Sequence, residues 1–225
     1  MPSVTVENYL KQVCLEESRR SDESLVPMGR LAEAVGVTPG TATTMVKSLA
    51  EADLLRYAPR AGVALTPAGR RLAHRVLRRH RLVELFLVEV LGMDWSEVHE
   101  EAEELEHTIS DKVLDRIDQL LGHPDADPHG SPIPRADRPL AREDAVGLDA
   151  APLDRPLTVV RIVDHDPDFL RFVEAQSLMP GAAVAVTGRP DHADAVTLAT
   201  ETADTVTLGS AAAARILVKP RAAVG

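Results

Sequence analysis

The chain has 225 residues, 44% hydrophobic and 27% charged, which is ordinary for a soluble globular protein with room for two compact domains. Cys14 is the only cysteine, so an intramolecular disulfide and a four-cysteine zinc site are both excluded. The formal net charge of −10 is unevenly spread: residues 1–81 carry 13 Lys and Arg against 8 Asp and Glu, and the remainder carry 12 against 27. A basic front and an acidic back suit a DNA-facing head better than a uniformly acidic enzyme, although chance asymmetry gives the same sums. The first residues lack the basic start and apolar run of a signal peptide. No uncharged apolar stretch nears the roughly 18 residues a membrane span needs, so a cytoplasmic protein with no membrane partner is expected.

In chain order, Val6, Tyr9, Leu10 and Val13 have helical spacing and predict a helix over residues 4–17, followed by a polar turn over 18–24. Met28, Leu31, Ala32 and Val35 form a second short stripe that stops at Gly36, a residue suited to closing a helix. Thr38 then caps a third helix with Pro39 at its first position, where no amide donor is needed. Ala42, Met45, Val46, Leu49 and Ala50 face inward, and Thr41, Thr44, Lys47 and Ser48 outward. Two short helices joined by Gly36-Val37-Thr38 read as a helix-turn-helix, with a plain helical hairpin as the alternative. Residues 54–66 read as two strands around Pro59-Arg60-Ala61-Gly62, a hairpin wing. Candidate DNA contacts are Thr38, Pro39, Gly40, Thr41, Thr43, Thr44 and Lys47 on the second helix of the motif, and Arg60 at the wing tip.

Thr66-Pro67 opens a long helix to Leu91. Its first half is Arg-rich, facing phosphates or merely solvated, and its second half is apolar nearly all round, as at a core or a subunit interface. Asp94 is expected to cap a helix reaching Ser110, and Asp111 to start another ending at Leu121. From His123 to Pro156 frequent prolines suggest a linker draped on the surface. Strands are expected at 157–163, 183–187, 195–199, 205–208 and 213–219, with a helical turn at 169–177, which together suggest a small β-barrel.

The densest chemistry lies in His99-Glu-Glu-Ala-Glu103-Glu-Leu-Glu106-His107. On a continuous helix His99, Glu103, Glu106 and His107 share an arc about 100° wide, beside an apolar stripe of Val98, Ala102, Leu105 and Ile109. His80 and Glu84, one turn apart on the preceding helix, offer further ligands. Imidazoles and carboxylates without thiolate make a hard N/O environment that suits Mn²⁺ or Fe²⁺, and any such site also takes Zn²⁺, Co²⁺ or Ni²⁺. A solvated acidic helix with incidental histidines is the plainer alternative. The His-Glu-x-x-His zinc-protease pattern is absent, because Glu103 stands where the second His is required.

These residues resemble the diphtheria toxin repressor family of iron- and manganese-dependent regulators. The resemblance rests on Val6-Glu-Asn-Tyr-Leu10, Val37-Thr-Pro-Gly-Thr41, Arg60-Ala-Gly-Val-Ala-Leu-Thr66, Arg79-His-Arg-Leu-Val-Glu84, Val98 to His107, and Leu121-Gly-His-Pro with Asp127-Pro-His-Gly-Ser-Pro-Ile-Pro134. It implies a mainly α chain of α+β character: a winged helix-turn-helix over 1–66, a helical dimerisation and metal-binding domain over 67–134, a Pro-rich linker over 135–156, and an SH3-like barrel over 157–225. It implies two metal positions per subunit. His80, Glu84 and His99 match an ancillary position, to which Asp166 of the barrel falls near. Glu103, Glu106 and His107 match a primary position together with Asn8. Glu103 stands where the iron-responsive branch has Cys, which resembles the manganese-responsive branch; Asn8 stands where that branch usually has Asp.

The resulting expectation is a homodimeric repressor that binds palindromic operator DNA when loaded with Mn²⁺ and controls metal-uptake genes, with Fe²⁺ as the alternative metal. No organic substrate is expected. The rival from another class is a metal-dependent hydrolase built on the same carboxylates, which would need an open coordination position and a substrate pocket.

Overall fold

A computed structural model of the chain describes residues 3–20, 24–135, 144–190, 192–201 and 205–221, so part of the expected 18–24 turn and much of the 135–156 linker lie outside the described residues. The chain divides into two compact units, Met1–His80 with Pro134–Arg142, and Arg81–Ile133 with Glu143–Gly225.

In the first unit α1 spans Val4–Ser18, α2 Met28–Ala34 and α3 Pro39–Glu51, and each begins where the side-chain chemistry allows. Ser3 caps α1 by accepting from the Val6 amide. Thr38 accepts from the Thr41 amide and Pro39 fills the first turn of α3. Gly36 takes φ +68° between α2 and α3, the left-handed conformation that turns one helix into the next. The wing is β1 (Leu55–Ala58) paired antiparallel with β2 (Gly62–Leu65), and Arg60 sits at its tip with φ +67°. Val26, unassigned by the sequence pattern, adds a third rung by exchanging two hydrogen bonds with Val63 at 2.8 and 2.9 Å. Leu10, Val13, Leu31, Ala42, Val46, Leu49, Val63, Ala73 and Leu77 fill one core, and Cys14 is buried among them.

The long helix α4, Pro67–Glu89, supplies residues to both units. In the second unit α5 is Val98–Leu105 and α6 is Asp111–Leu120. The single helix expected from Asp94 to Ser110 is therefore shorter at both ends. Asp94 spends its carboxylate on the amide and hydroxyl of Ser96, forming a separate turn. At the other end the Thr108 hydroxyl bonds the Leu105 carbonyl, and Ser110 caps α6, so the chain turns before 110.

The C-terminal sheet has strands β3 (Val146–Gly147), β4 (Leu157–Ile162), β5 (Ala183–Gly188), β6 (Ala195–Thr200), β7 (Thr205–Gly209) and β8 (Ile216–Pro220), all antiparallel in the order β3-β8-β4-β5-β6-β7. Helix α7 (Pro167–Ala175) and the short α8 (Ser210–Ala213) complete it. Bulges in β4 and β5 re-aim the strands, and Val159, Ile162, Val186, Leu198 and Ile216 meet in a closed core. Two expectations change here. Residues 213–215 precede the last strand rather than belonging to it, and the linker ends early: Val146–Gly147 joins the sheet while Leu148 and Ala151 enter its core. Two residues of strand carry too little alternation to be seen in a sequence.

Gly62 is a residue the wing cannot replace. Its φ is +136°, and a Cβ there would collide with the Val26 carbonyl oxygen. Gly62→Ala is expected to cost about 2–4 kcal/mol from strain and overpacking together. Gly29→Ala, where nothing lies within 4 Å of the added carbon, should be neutral or stabilising by up to about 1 kcal/mol. Urea denaturation of the two variants beside the native chain checks the contrast.

Candidate metal centre

The ligand-type side chains of the second unit gather on α4, α5 and two loops. Glu103 lies in the last turn of α5, Glu106 is its C-cap and His107 follows in the turn. They bring one ligand atom each within 4.8 Å of one another. His107 Nε2 lies 3.3 Å from Glu106 Oε1, and Glu106 has no surface in water. The common arc on one helix is thus replaced by a helix end plus a turn, and the three groups still converge.

A second gathering centres on Glu84, which is fully buried. His99 Nδ1 stands 3.1 Å from Glu84 Oε1, and the His165 ring stacks on His99 with centroids 3.9 Å apart. Glu84, His99 and His165 form one cluster of closely spaced ligand atoms, and Glu84 forms another with Asp127 and His129, all three buried. His80 is buried one turn before Glu84 on α4.

Asp127 and His129 are placed by a loop of tightly specified geometry. Asp127 Oδ1 accepts from the amides of His129 (2.9 Å) and Ser131 (2.8 Å), and the His129 carbonyl accepts from the Ile162 amide at 2.9 Å. Gly130 adopts φ +84° where a Cβ would strike the Val160 carbonyl. Burial first, and the neighbouring Glu84 charge second, push the Asp127 carboxyl above its ordinary range; Arg81, 3.6 Å away, opposes them. His129 Nε2 lies 3.0 Å from the Trp95 carbonyl, which accepts only, so the proton sits on Nε2. Nδ1 then carries a lone pair, and it is buried with no hydrogen-bond partner among the described residues.

In the first unit the Asn8 Oδ1 is likewise buried and accepts no hydrogen bond from the described residues. Thr38, Pro39, Gly40, Thr41, Thr44 and Lys47 are exposed along one side of α3 and Thr43 is half-buried. The Thr43 and Thr44 hydroxyls bond back to the carbonyls of Pro39 and Gly40 at 2.7 and 3.1 Å. Arg60 is exposed at the wing tip. The Arg-rich half of α4 is less available than its sequence suggests: Arg78 donates to the Pro134 carbonyl, Arg79 pairs with Glu7 and Arg81 donates to the Pro132 carbonyl.

Residues 1–63 match the family model described as iron dependent repressor, N-terminal DNA binding domain. Residues 66–135 match that of the iron dependent repressor metal binding and dimerisation domain, and 146–220 match the FeoA domain. The iron-dependent repressor IdeR of Mycobacterium leprae is 34% identical over 200 residues, covering 83% of this chain and 85% of its own length. A solved manganese-dependent transcriptional repressor in complex with manganese superposes with TM-score 0.88 at 39% identity, over 96% of this chain and 100% of that one. The structure of ScaR with bound Zn²⁺ superposes with TM-score 0.81 at 32% identity, over 98% of this chain and 100% of its own.

The chain belongs to the iron-dependent repressor family. It is a metal-dependent, DNA-binding transcriptional repressor and not an enzyme. Its C-terminal sheet is the SH3-like FeoA domain.

The donor set of this repressor fits a divalent cation. Carboxylates packed together out of water repel one another unless a positive charge stands among them, and an imidazole lone pair fixed by its own second hydrogen bond is set out as a metal ligand is. Sequence reading missed His129, Asp127 and His165. The first two lie in a Pro-rich run whose composition signalled a linker, though Asp and His two residues apart before Gly were visible. For the barrel's contribution the structure corrects the expected residue: Asp166 caps α7 by accepting from the Phe169 amide at 2.9 Å and joins no ligand cluster among the described residues, whereas its neighbour His165 does. Asp166→Ala is accordingly expected to lower stability by about 1 kcal/mol through the lost cap and to leave metal affinity unchanged. His165→Ala should weaken binding of one metal equivalent by calorimetric titration without lowering the melting temperature of the metal-free protein.

Proposed function

We propose that this repressor is activated by Mn²⁺, acts in the cytoplasm as a homodimer on palindromic operator DNA, and controls metal-uptake genes. The observation that carries the metal assignment is the donor chemistry. Glu103, Glu106 and His107 converge without a thiolate, and the only cysteine, Cys14, is shut in the apolar core of the first unit. Carboxylate, imidazole and amide oxygen are donors for a hard ion, and a soft-ion preference has no residue to rest on. The manganese-dependent repressor that the chain resembles at 39% identity supports the same reading, while the iron-dependent relatives keep Fe²⁺ as its rival.

Glu103, Glu106 and His107 are proposed to hold the primary ion with Asn8. His80, Glu84 and His99 hold the ancillary one, with His165, His129 and Asp127 around Glu84. The bound ion supplies positive charge that offsets the gathered carboxylates. Asn8 is carried by α1 in the unit that bears the recognition helix, and the other primary ligands by α5 in the unit that bears the dimerisation helices. A ligand set divided in this way favours the arrangement in which all its members are satisfied. The activating effect equals the difference in binding between that arrangement and the others.

Dimerisation is supported by apolar side chains left uncovered in the helical part of the second unit: Val90, Leu91, Leu105, Val113 and Leu120, the last 65% exposed. Two copies related by a dyad present two α3 helices, and that symmetry selects a palindrome. On α3, Thr38, Pro39, Gly40, Thr41, Thr43 and Thr44 are proposed to meet base edges, and Lys47, with Arg60 on the wing, the phosphates.

Fluorescence anisotropy on operator DNA tests this reading, with metal removed by chelator and then restored. DNA binding is expected to require metal, to appear at Mn²⁺ concentrations no higher than those of Fe²⁺ under anaerobic conditions at one pH, and to be lost in His107→Ala with the dimer intact by gel filtration. Equal affinity with and without chelator contradicts metal activation. A response to Fe²⁺ at far lower concentration contradicts the manganese assignment alone.

A further inference from the structure

Two of the proposed ligands belong to different metal positions, and each follows a charged residue in the sequence. Glu7 precedes Asn8 on α1, and Arg79 precedes His80 on α4. These two neighbours face each other: Arg79 Nη1 lies 3.7 Å from Glu7 Oε1, with side chains only 11% and 12% exposed. A pair this sheltered is screened little by solvent or salt. The remaining contact between the helices is apolar, with Tyr9, Leu10 and Val13 of α1 sharing a core with Ala73 and Leu77 of α4. Apolar contact is non-directional and tolerates small slides and rotations; a charged pair next to each ligand does not.

We propose that Glu7 and Arg79 are positioning residues that couple the two metal positions. The proposal rests on the ligand assignment above. His80, once held at the ancillary position, orders the turn of α4 that carries Arg79; Arg79 fixes Glu7; and Glu7 fixes the turn of α1 that presents the Asn8 amide oxygen. By linkage the effect is reciprocal, so occupancy of either position raises the affinity of the other.

The test is a titration of the full-length repressor with Mn²⁺ in the absence of DNA, free ion being read from its paramagnetic resonance signal. Four forms are compared: native, Glu84→Gln, Glu7→Gln, and both substitutions together. The native chain is expected to bind two ions. Glu84→Gln should remove one and weaken the other by about fivefold or more. In the Glu7→Gln background the same substitution should remove one ion and leave the other within about twofold. The reversed pair, Glu7→Arg with Arg79→Glu, should restore the fivefold coupling, which a merely structural role for either residue does not predict; it also serves if Glu7→Gln fails to fold. Equal weakening in both backgrounds, or a folded reversed pair that does not couple, overturns the proposal. A native chain that binds fewer than two ions, or whose binding Glu84→Gln leaves unchanged, overturns the ligand assignment and the coupling with it.

Discussion

A carboxylate with no surface in water has to be compensated, and the second unit is organised around that constraint at Glu84. Its neighbours are His99 at 3.1 Å, with His165 stacked behind, and on another side Asp127 and His129. Asp127 adds a second negative charge instead of relieving the first, and its raised proton affinity records the cost. The surrounding structure keeps this arrangement in place. Arg81 approaches Asp127, two backbone amides hold one of its oxygens, and Gly130 lets the loop press against the Val160 carbonyl. Removing one partner of such a buried set typically costs 3–5 kcal/mol, so a cation is the natural complement to a cluster that could have been apolar.

The same constraint joins the FeoA domain to the helices within the second unit. Trp95, on the turn that Asp94 caps, packs in the core of the C-terminal sheet, and its indole N–H donates to Glu174 of α7 at 3.2 Å. Its backbone carbonyl receives the His129 proton. Packing between helices and sheet and the protonation pattern of a ligand histidine are thereby settled by one residue. His165, from the segment that leads into α7, reaches the His99 ring from the sheet side. The C-terminal domain thus takes part in building the ligand set.

Most of the fold was legible because its signals are local. Gly36, Thr38 and Pro39 mark a helix end and a helix start through backbone conformation and capping, which act over a few residues. The wing and five of the six sheet strands follow from alternation over several residues. The failures share a cause. Val26, Val146–Gly147 and the loop from Asp125 to Ile133 take their structure from distant partners: Val63, β8 and β4. The helix expected to reach Ser110 ended early because Thr108 and Ser110 bond the backbone locally, competing with helix continuation. For the candidate site, spacing placed Glu84, His99, Glu103, Glu106 and His107 on neighbouring elements. It could not choose between His165 and Asp166, since adjacent residues differ only in which way a turn points them.

The central claim is that a metal ligand set drawn from both units selects the DNA-competent arrangement, with Asn8 as the contribution of the first unit. Anomalous scattering at the manganese edge from crystals of the Mn²⁺-loaded repressor tests it most directly. The account predicts a peak bonded to Asn8 Oδ1 as well as to Glu103, Glu106 and His107. A fully occupied peak whose ligands all come from the second unit, with the Asn8 amide turned to another partner, would contradict it.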